Sequence, residues 1–349
     1  IPLAIELAAA RANLLTVEQI SKRLDDRFNL LTGGLRSALP RHQTLRATIE
    51  WSYDLLSEKE RIIFRRLAIF MGGWMLDAAE EVCGGDGIES GDILDLLTQL
   101  INKSLVMVET VDGETRYHLL ETIRQYAREK LLEAEGSEAI REKHLAYFVK
   151  LIEQAEPELY RANQVFWLNK LDDELDNFRL ALEWALTNNV GAGLRIAAIP
   201  WRFWLTRGYY QELSKWLAEL LERYNSDDGL HAQALAVYAD CAFVQGNFPE
   251  AIRRAEQSLQ MARGFSDQRL EALSLYFLGE YTQAQGNVER GAPLLEQSLA
   301  ISRALGDKIG QADALMWLSN NDRDIEIDYA RESLRLHREL GNLSGISES

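Results

Sequence analysis

"QGNFPEAIRRAEQSLQMARGFSD" occupies residues 245–267, and "QGNVERGAPLLEQSLAISRALGD" occupies residues 285–307. The second stretch repeats the first after 40 residues. "YARESLRLHRELGN", from Tyr329, echoes the second half of the same unit after a shortened turn. A fainter copy, "RGYYQELSKWLAELLERY", begins at Arg207. Similarity at a fixed period marks stacked units, none of which can bury its apolar face alone.

Each unit reads as a helix, a Gly turn and a second helix. Tyr238, Leu278 and Leu318 are equivalent, as are Ala239, Gly279 and Ser319. The small residue of the second set lets paired helices approach closely. This is tetratricopeptide (TPR)-like logic, with a period longer than the common value of about 34. Residues 228–349 are therefore expected to form TPR-like repeats, an α-superhelix with a concave surface. Residues 136–227 read as a TPR-like helical bridge. In it, "FWLNKLDDELDNFRLALEWAL" predicts one long helix, with Trp167, Leu171, Leu175, Phe178 and Leu182 on one stripe. Trp201, Phe203 and Trp204 are expected in the core. "DRDIEID", with Ile327 where a calcium loop needs Gly, reads as a solvated turn.

Upstream, the texture changes. "TLRATIEWSYDLL" predicts a helix, and Ser57 with Glu60 gives a capping box before "IIFRRLAIF", a buried helix ended by Gly72-Gly73. "SLVMVE" and "TRYHL" flank Asp112-Gly113, a hairpin signal, and "LETIRQYAREKLLE" is a closing helix. Helices followed by a β-hairpin wing describe a winged-helix domain over 43–135. Its candidate recognition helix, residues 91–102, carries Asp92 and Asp95, with Lys103 only at its end. Groove entry needs cationic or amide donors, so direct nucleic-acid binding is disfavoured.

The 349 residues are 47% apolar, enough for packed cores, and carry a net charge of −16. Acids outnumber bases on both sides of residue 135, so neither half offers a phosphate-neutralising face. Cys83 and Cys241 fit buried thiols. No stretch reads as a signal peptide or a membrane span, and the expectation is a soluble, cytoplasmic protein with no membrane partner. Residues 3–15 and a helix from Thr16 precede a linker, "LLTGGLRSALPRHQ". Two short helices cannot stand alone. Residues 1–42 are thus expected to be the remnant of a domain whose body lies upstream, making the chain a fragment. Arg41 and Arg46 read as surface or interdomain salt-bridge residues.

Catalytic motifs are missing. There is no G-x-x-x-x-G-K-[ST] and no G-x-S-x-G, and the five histidines are scattered without metal-ligand spacing. "GGDGIESG" follows a helix and lacks the third Gly of a dinucleotide loop, so it reads as a plain loop. No enzyme activity, catalytic residue or metal site is expected on this chain.

"PLAIELAAAR", "LRATIEWSYDLLSEKER", "LLTQLINKSLV" and "RYHLLETIRQYAREKL" resemble the STAND class of signalling NTPases, in its bacterial branch fused to SARP- and LuxR-type regulators. The resemblance covers roughly residues 1–220. It implies a P-loop core upstream, then a helical domain, a winged helix and a superhelical sensor. It implies ATP or ADP with Mg in the full-length protein. Pro2 matches the Pro that packs on the nucleotide base. The family's Met-His-Asp motif, whose His holds the ADP β-phosphate, falls on Leu119, Leu120 and Glu121; its His is absent, and His118 lies two residues earlier. The resemblance thus makes Pro2 and Glu121 the candidate nucleotide contacts. It implies the regulatory and sensor portion of a signalling ATPase in transcriptional regulation or signal transduction. The winged helix would control closure, and the repeats would bind a protein or small-molecule inducer. The alternative is a free-standing TPR-type protein-interaction scaffold.

Overall fold

The computed structural model describes residue 46 and residues 49–111, 113–134, 136–319 and 323–348. Pro2, Arg41 and the helices expected at 3–15 and from Thr16 lie outside these residues. The chain divides into two compact units, residues 1–140 and 141–349.

In the first unit a helical stretch at 49–54 leads to α1 (Glu58–Leu67). The capping box is present: the Glu60 N–H donates to Ser57 Oγ, and the Ser57 N–H donates to the Glu60 carboxylate at 2.7 Å. Ile63, Phe64 and Leu67 are fully buried, as a central helix requires. α1 stops at Leu67, short of the expected Gly pair. Gly72 and Gly73, at φ 72° and 114°, instead turn the chain into β1 (Trp74–Met75). α2 (Leu76–Cys83), a 3-10 turn (Ser90–Asp92) and α3 (Ile93–Asn102) follow. Then come β2 (Met107–Val111), β3 (Glu114–His118) and α4 (Glu121–Glu133).

The wing has three strands, in the order β1–β3–β2, where the sequence predicted two. Trp74 and Met75 pair antiparallel with Tyr117 and Arg116. Two residues are too short to show alternation. The signal lies in Gly73, where a Cβ would stand 2.7 Å from the Tyr117 carbonyl oxygen. The β2–β3 turn closes with Val111 opposite Glu114, a two-residue hairpin with Gly113 at φ 86°. α1 packs on α3 and α4, and Trp74 stacks between Phe70 and Tyr117. "GGDGIESG" is a loop pinned by Arg66, which donates to the Cys83 and Gly85 carbonyls at 2.7 Å. Arg46 pairs with Glu129 at 2.9 Å on the surface.

The second unit is helical. It opens in α5 (Ser137–Ala155) and a 3-10 helix (Glu156–Tyr160). α6 (Gln164–Asp173) and α7 (Leu175–Asn188) replace the single long helix expected there. The break falls at Glu174, whose ψ of 4° leaves the helical region and whose buried carboxylate accepts from Asn177 at 2.6 Å. The stripe still faces inward: Leu171, Phe178 and Leu182 are fully buried. α8 (Val190–Ala198), α9 (Trp201–Thr206) and α10 (Tyr210–Arg223) complete the bridge, with Phe203 and Trp204 in the core.

Three helix pairs follow: α11 (Gly229–Val244) with α12 (Phe248–Phe265), α13 (Gln268–Ala284) with α14 (Val288–Leu305), and α15 (Lys308–Leu318) with α16 (Arg323–Leu340). The period is written in polar bonds. Asp228, Asp267 and Asp307 cap the first helices; Asn247 and Asn287 cap α12 and α14. Ser258, Ser298 and Ser333 donate to the carbonyls of Ala232, Ala272 and Ala312, one bond per pair. Gly279 lets α13 and α14 touch: a Cβ there would stand 2.6 Å from Leu295 Cγ. "DRDIEID" differs from expectation, because residues 323–328 open α16 as helix rather than turn. A short α17 (Leu343–Glu348) ends the described residues.

Two stretches of this unit far apart in sequence meet. Gln164 Nε2 donates to Asn342 Oδ1 at 3.3 Å, and the Ser344 N–H donates to Gln164 Oε1 at 3.3 Å. Gly341, at φ 73°, comes so close to Ala162 that a Cβ would sit 3.0 Å away. Both cysteines are buried free thiols, and no described helix is long and apolar enough to cross a membrane. The protein is mainly α: a winged-helix domain followed by TPR-like helical repeats.

Candidate functional site

Among the residues predicted from sequence, Glu121 begins α4 and is half-exposed. Its carboxylate accepts two hydrogen bonds from Arg124, at 3.0 and 2.9 Å. Leu120, at the position of the missing His, is exposed. His118 points toward Glu109, 3.8 Å away. A phosphate is bound by donors. Leu120 and Glu121 supply none from their side chains, so these residues do not by themselves fit a phosphate group. Pro2 lies outside the described residues.

A recess lies elsewhere, inside the array. A cavity of about 600 Å³ is bounded by the 3-10 helix Glu156–Tyr160, by α9, and by the first helices α11, α13 and α15. That volume is in the range of small-molecule sites. On one wall Arg202 makes an ion pair with Asp313, joining α9 to α15. The Arg202 guanidinium lies over the rings of Tyr160 and Trp201, at 5.2 and 4.7 Å. Trp201 is braced edge-on by Phe277 at 5.5 Å.

Behind this wall the acids cluster. Asp240 accepts from the Tyr281 hydroxyl at 3.2 Å. Burial pushes its carboxyl up to about 6, against the opposing pull of Tyr281 and Arg202. Glu280 is held well above the usual carboxylate range by burial and by Asp240. Burial also raises Asp313, while Arg202 lowers it. The same desolvation raises the Tyr160 and Tyr276 phenols. Three carboxyls thus share one nearby guanidinium in a poorly solvated place. The Ser302 hydroxyl, on α14 at the cavity edge, is 1% exposed and has no hydrogen-bond partner. Among the described residues no His, Cys, Asp and Glu group is arranged to hold a metal ion.

Sequence reading missed this site, though a signal was present. Asp240 and Glu280 are one period apart, so the register that aligned the repeats also stacks two acids on neighbouring helices. Arg202 and Asp313 belong to different repeat positions, and only the folded array brings them together. Trp201 was expected in the core; it is buried and also lines the cavity.

At the winged helix, α3 presents an acidic start. Asp92 is paired with Lys59 at 2.7 Å, and Lys103 is paired with Glu60. Lys59 and Lys103, which flank α3, are therefore already engaged.

Residues 56–132 match the family model described as "Winged helix-turn-helix domain". A "Putative HTH-type transcriptional regulator" of Mycobacterium tuberculosis is 38% identical over 277 residues, covering 76% of this chain and 31% of that protein. An "Uncharacterized protein" of the same organism is 44% identical over 141 residues, covering 40% of this chain and 36% of its own length. The chain spans about a third of the length of these curated relatives. Among solved structures, a Signal Transduction ATPase with Numerous Domains (STAND) protein with a tetratricopeptide repeat sensor from Pyrococcus horikoshii is similar at 15% identity. It covers 98% of this chain and 54% of that one, with a TM-score of 0.48. Aspartyl phosphate phosphatase F from Bacillus subtilis is similar at 11% identity, covering 96% and 78%, with a TM-score of 0.48. Residues 56–132 are thus a winged helix-turn-helix domain, in a chain homologous over 277 residues to proteins named as HTH-type transcriptional regulators.

Proposed function

We propose that this chain is the regulatory and sensor portion of a STAND-type signalling ATPase, acting in transcriptional regulation or signal transduction in the cytoplasm. The winged helix controls nucleotide-dependent closure of an upstream NTPase domain that holds ATP or ADP with Mg. The repeat array binds an inducer or partner and biases the closed and open states by its preference between them. The observation that carries this reading is the cavity inside the array, walled by charged and aromatic side chains from helices far apart in sequence. The homology to HTH-type regulators supports a regulatory role.

The chain's own nucleotide-facing positions in this proposal are Pro2 and Glu121. Glu121 is neutralised by Arg124 and can only accept, so its partner is a hydroxyl or hydrated metal rather than a phosphate oxygen. The Glu121→Gln variant of the longer protein is expected to bind ADP several-fold more weakly; unchanged affinity removes Glu121 from the proposal. The division of labour is tested by ADP titration. The chain alone is expected to show no micromolar binding, because the phosphate cradle lies upstream. Micromolar binding by the chain alone refutes that division. Capture of a partner protein, indifferent to nucleotide, favours the scaffold reading instead.

A further inference from the structure

The lining of the array cavity carries charges of both signs, and how they are paired specifies a ligand. The lining carries Arg161, Arg202, Arg269 and Lys308 against Glu156, Asp267, Asp307 and Asp313. Several of these are already committed elsewhere. Asp267 and Asp307 cap helices, Arg161 pairs with Glu158, and Lys308 pairs with Glu339. The Arg202–Asp313 pair is different. It faces the cavity, and Tyr160 and Trp201 fix the orientation of its guanidinium.

A ligand carboxylate taking Arg202 alone would strand Asp313, a buried acid already raised by desolvation, beside Asp240 and Glu280. A ligand cation taking Asp313 alone would strand Arg202. A molecule bearing both charges satisfies both sides. An α-ammonium carboxylate holds its two charges next to each other, as close as the pair it enters. The unpartnered Ser302 hydroxyl supplies a further polar contact at the cavity edge. Leu273, Ile309, Leu340 and Tyr276 add an apolar part to the lining.

We propose that the cavity takes a small zwitterion with an apolar body, of the free amino-acid class, its carboxylate on Arg202 and its ammonium on Asp313. This rests on the reading of the array as a sensor and names its ligand class. At Arg202 a multiply charged anion is disfavoured, because a second negative charge at that guanidinium meets the acids behind it.

The test is calorimetric titration of the full chain with L-phenylalanine as probe, against N-acetyl-phenylalanine and phenylalanine amide, each of which keeps one charge. The expected result is binding of the zwitterion at least tenfold tighter than either capped form. Arg202→Met and Asp313→Asn should each lose at least tenfold. Ser302→Ala, which copies Ala262 of the preceding repeat, keeps the fold and should weaken binding about threefold. Equal affinity for the three probes, absence of zwitterion binding, or a Ser302→Ala variant binding as tightly as the parent overturns the assignment. Failure of the sensor reading looks different: the zwitterion binds as expected, yet leaves nucleotide retention by the longer protein unchanged.

Discussion

Asp240→Asn tests how the acid cluster is stored in the fold. The Asp240 carboxyl sits near 6 in the folded chain, against an ordinary 3.8. That is about two pH units, and at about 1.4 kcal/mol per unit the ionised carboxylate costs the fold about 3 kcal/mol. Because the folded value is raised, the protonated acid's contribution is fully present below 3.8 and is lost as pH rises through 6. Asn removes the charge, keeps the shape and still accepts from Tyr281. It also relieves Glu280 of its nearest like charge. The variant is therefore expected to be more stable than the parent by about 2–3 kcal/mol at pH 8, roughly 4–12 °C in Tm for a unit of this size. The gain should shrink to under about 1 kcal/mol near pH 4. His144 works in the opposite direction, since burial lowers it to about 4 and its neutral form is lost in acid. It is common to both proteins, so it cancels in the difference. Thermal melts of the two proteins at pH 8, 6 and 4 provide the comparison. A variant that is less stable at pH 8, or a gain that does not change with pH, refutes the reasoning.

Gly279→Ala should destabilise the array by about 1–3 kcal/mol in denaturant melts, since its methyl enters the space of Leu295. Ser57→Ala removes the reciprocal cap of α1 and should cost the winged-helix unit about 1 kcal/mol, read by helical circular dichroism on unfolding. Ser298→Ala leaves the Ala272 carbonyl without its buried donor and should cost about 1–2 kcal/mol. The acidic α3, with Lys59 and Lys103 already paired, should give no salt-dependent gel shift with duplex DNA at micromolar protein. A shift that weakens steeply with salt would reinstate groove binding.

The repeats and the wing were legible because their signals are local. A capping box and a two-residue turn act over a few neighbouring positions, the 40-residue echo is read by direct comparison, and Ser57 and Gly113 stand where the sequence placed them. The misreadings share a different cause. The Glu174 break interrupts an unbroken apolar stripe, and only the buried contact to Asn177 marks it. β1 is too short to carry a period, and its evidence is the space Gly73 leaves for Tyr117. The cavity was hidden for a related reason. Arg202 and Asp313 are 111 residues apart, and no local pattern links them. Asp240 and Glu280 were visible in the repeat register, yet an acid at a repeated position reads as a solvated face until its burial is known.

The join between Gln164 and Asn342 sets a counting rule for the array. A solenoid with free ends can gain or lose a unit by duplication at little cost, because each unit touches only its neighbours. Here an added pair would carry Asn342 and Gly341 past their seats on Gln164 and Ala162 and pull Asp313 off Arg202. A change in the curvature of the array is felt first at this seam, where residues 178 positions apart in sequence share a hydrogen bond.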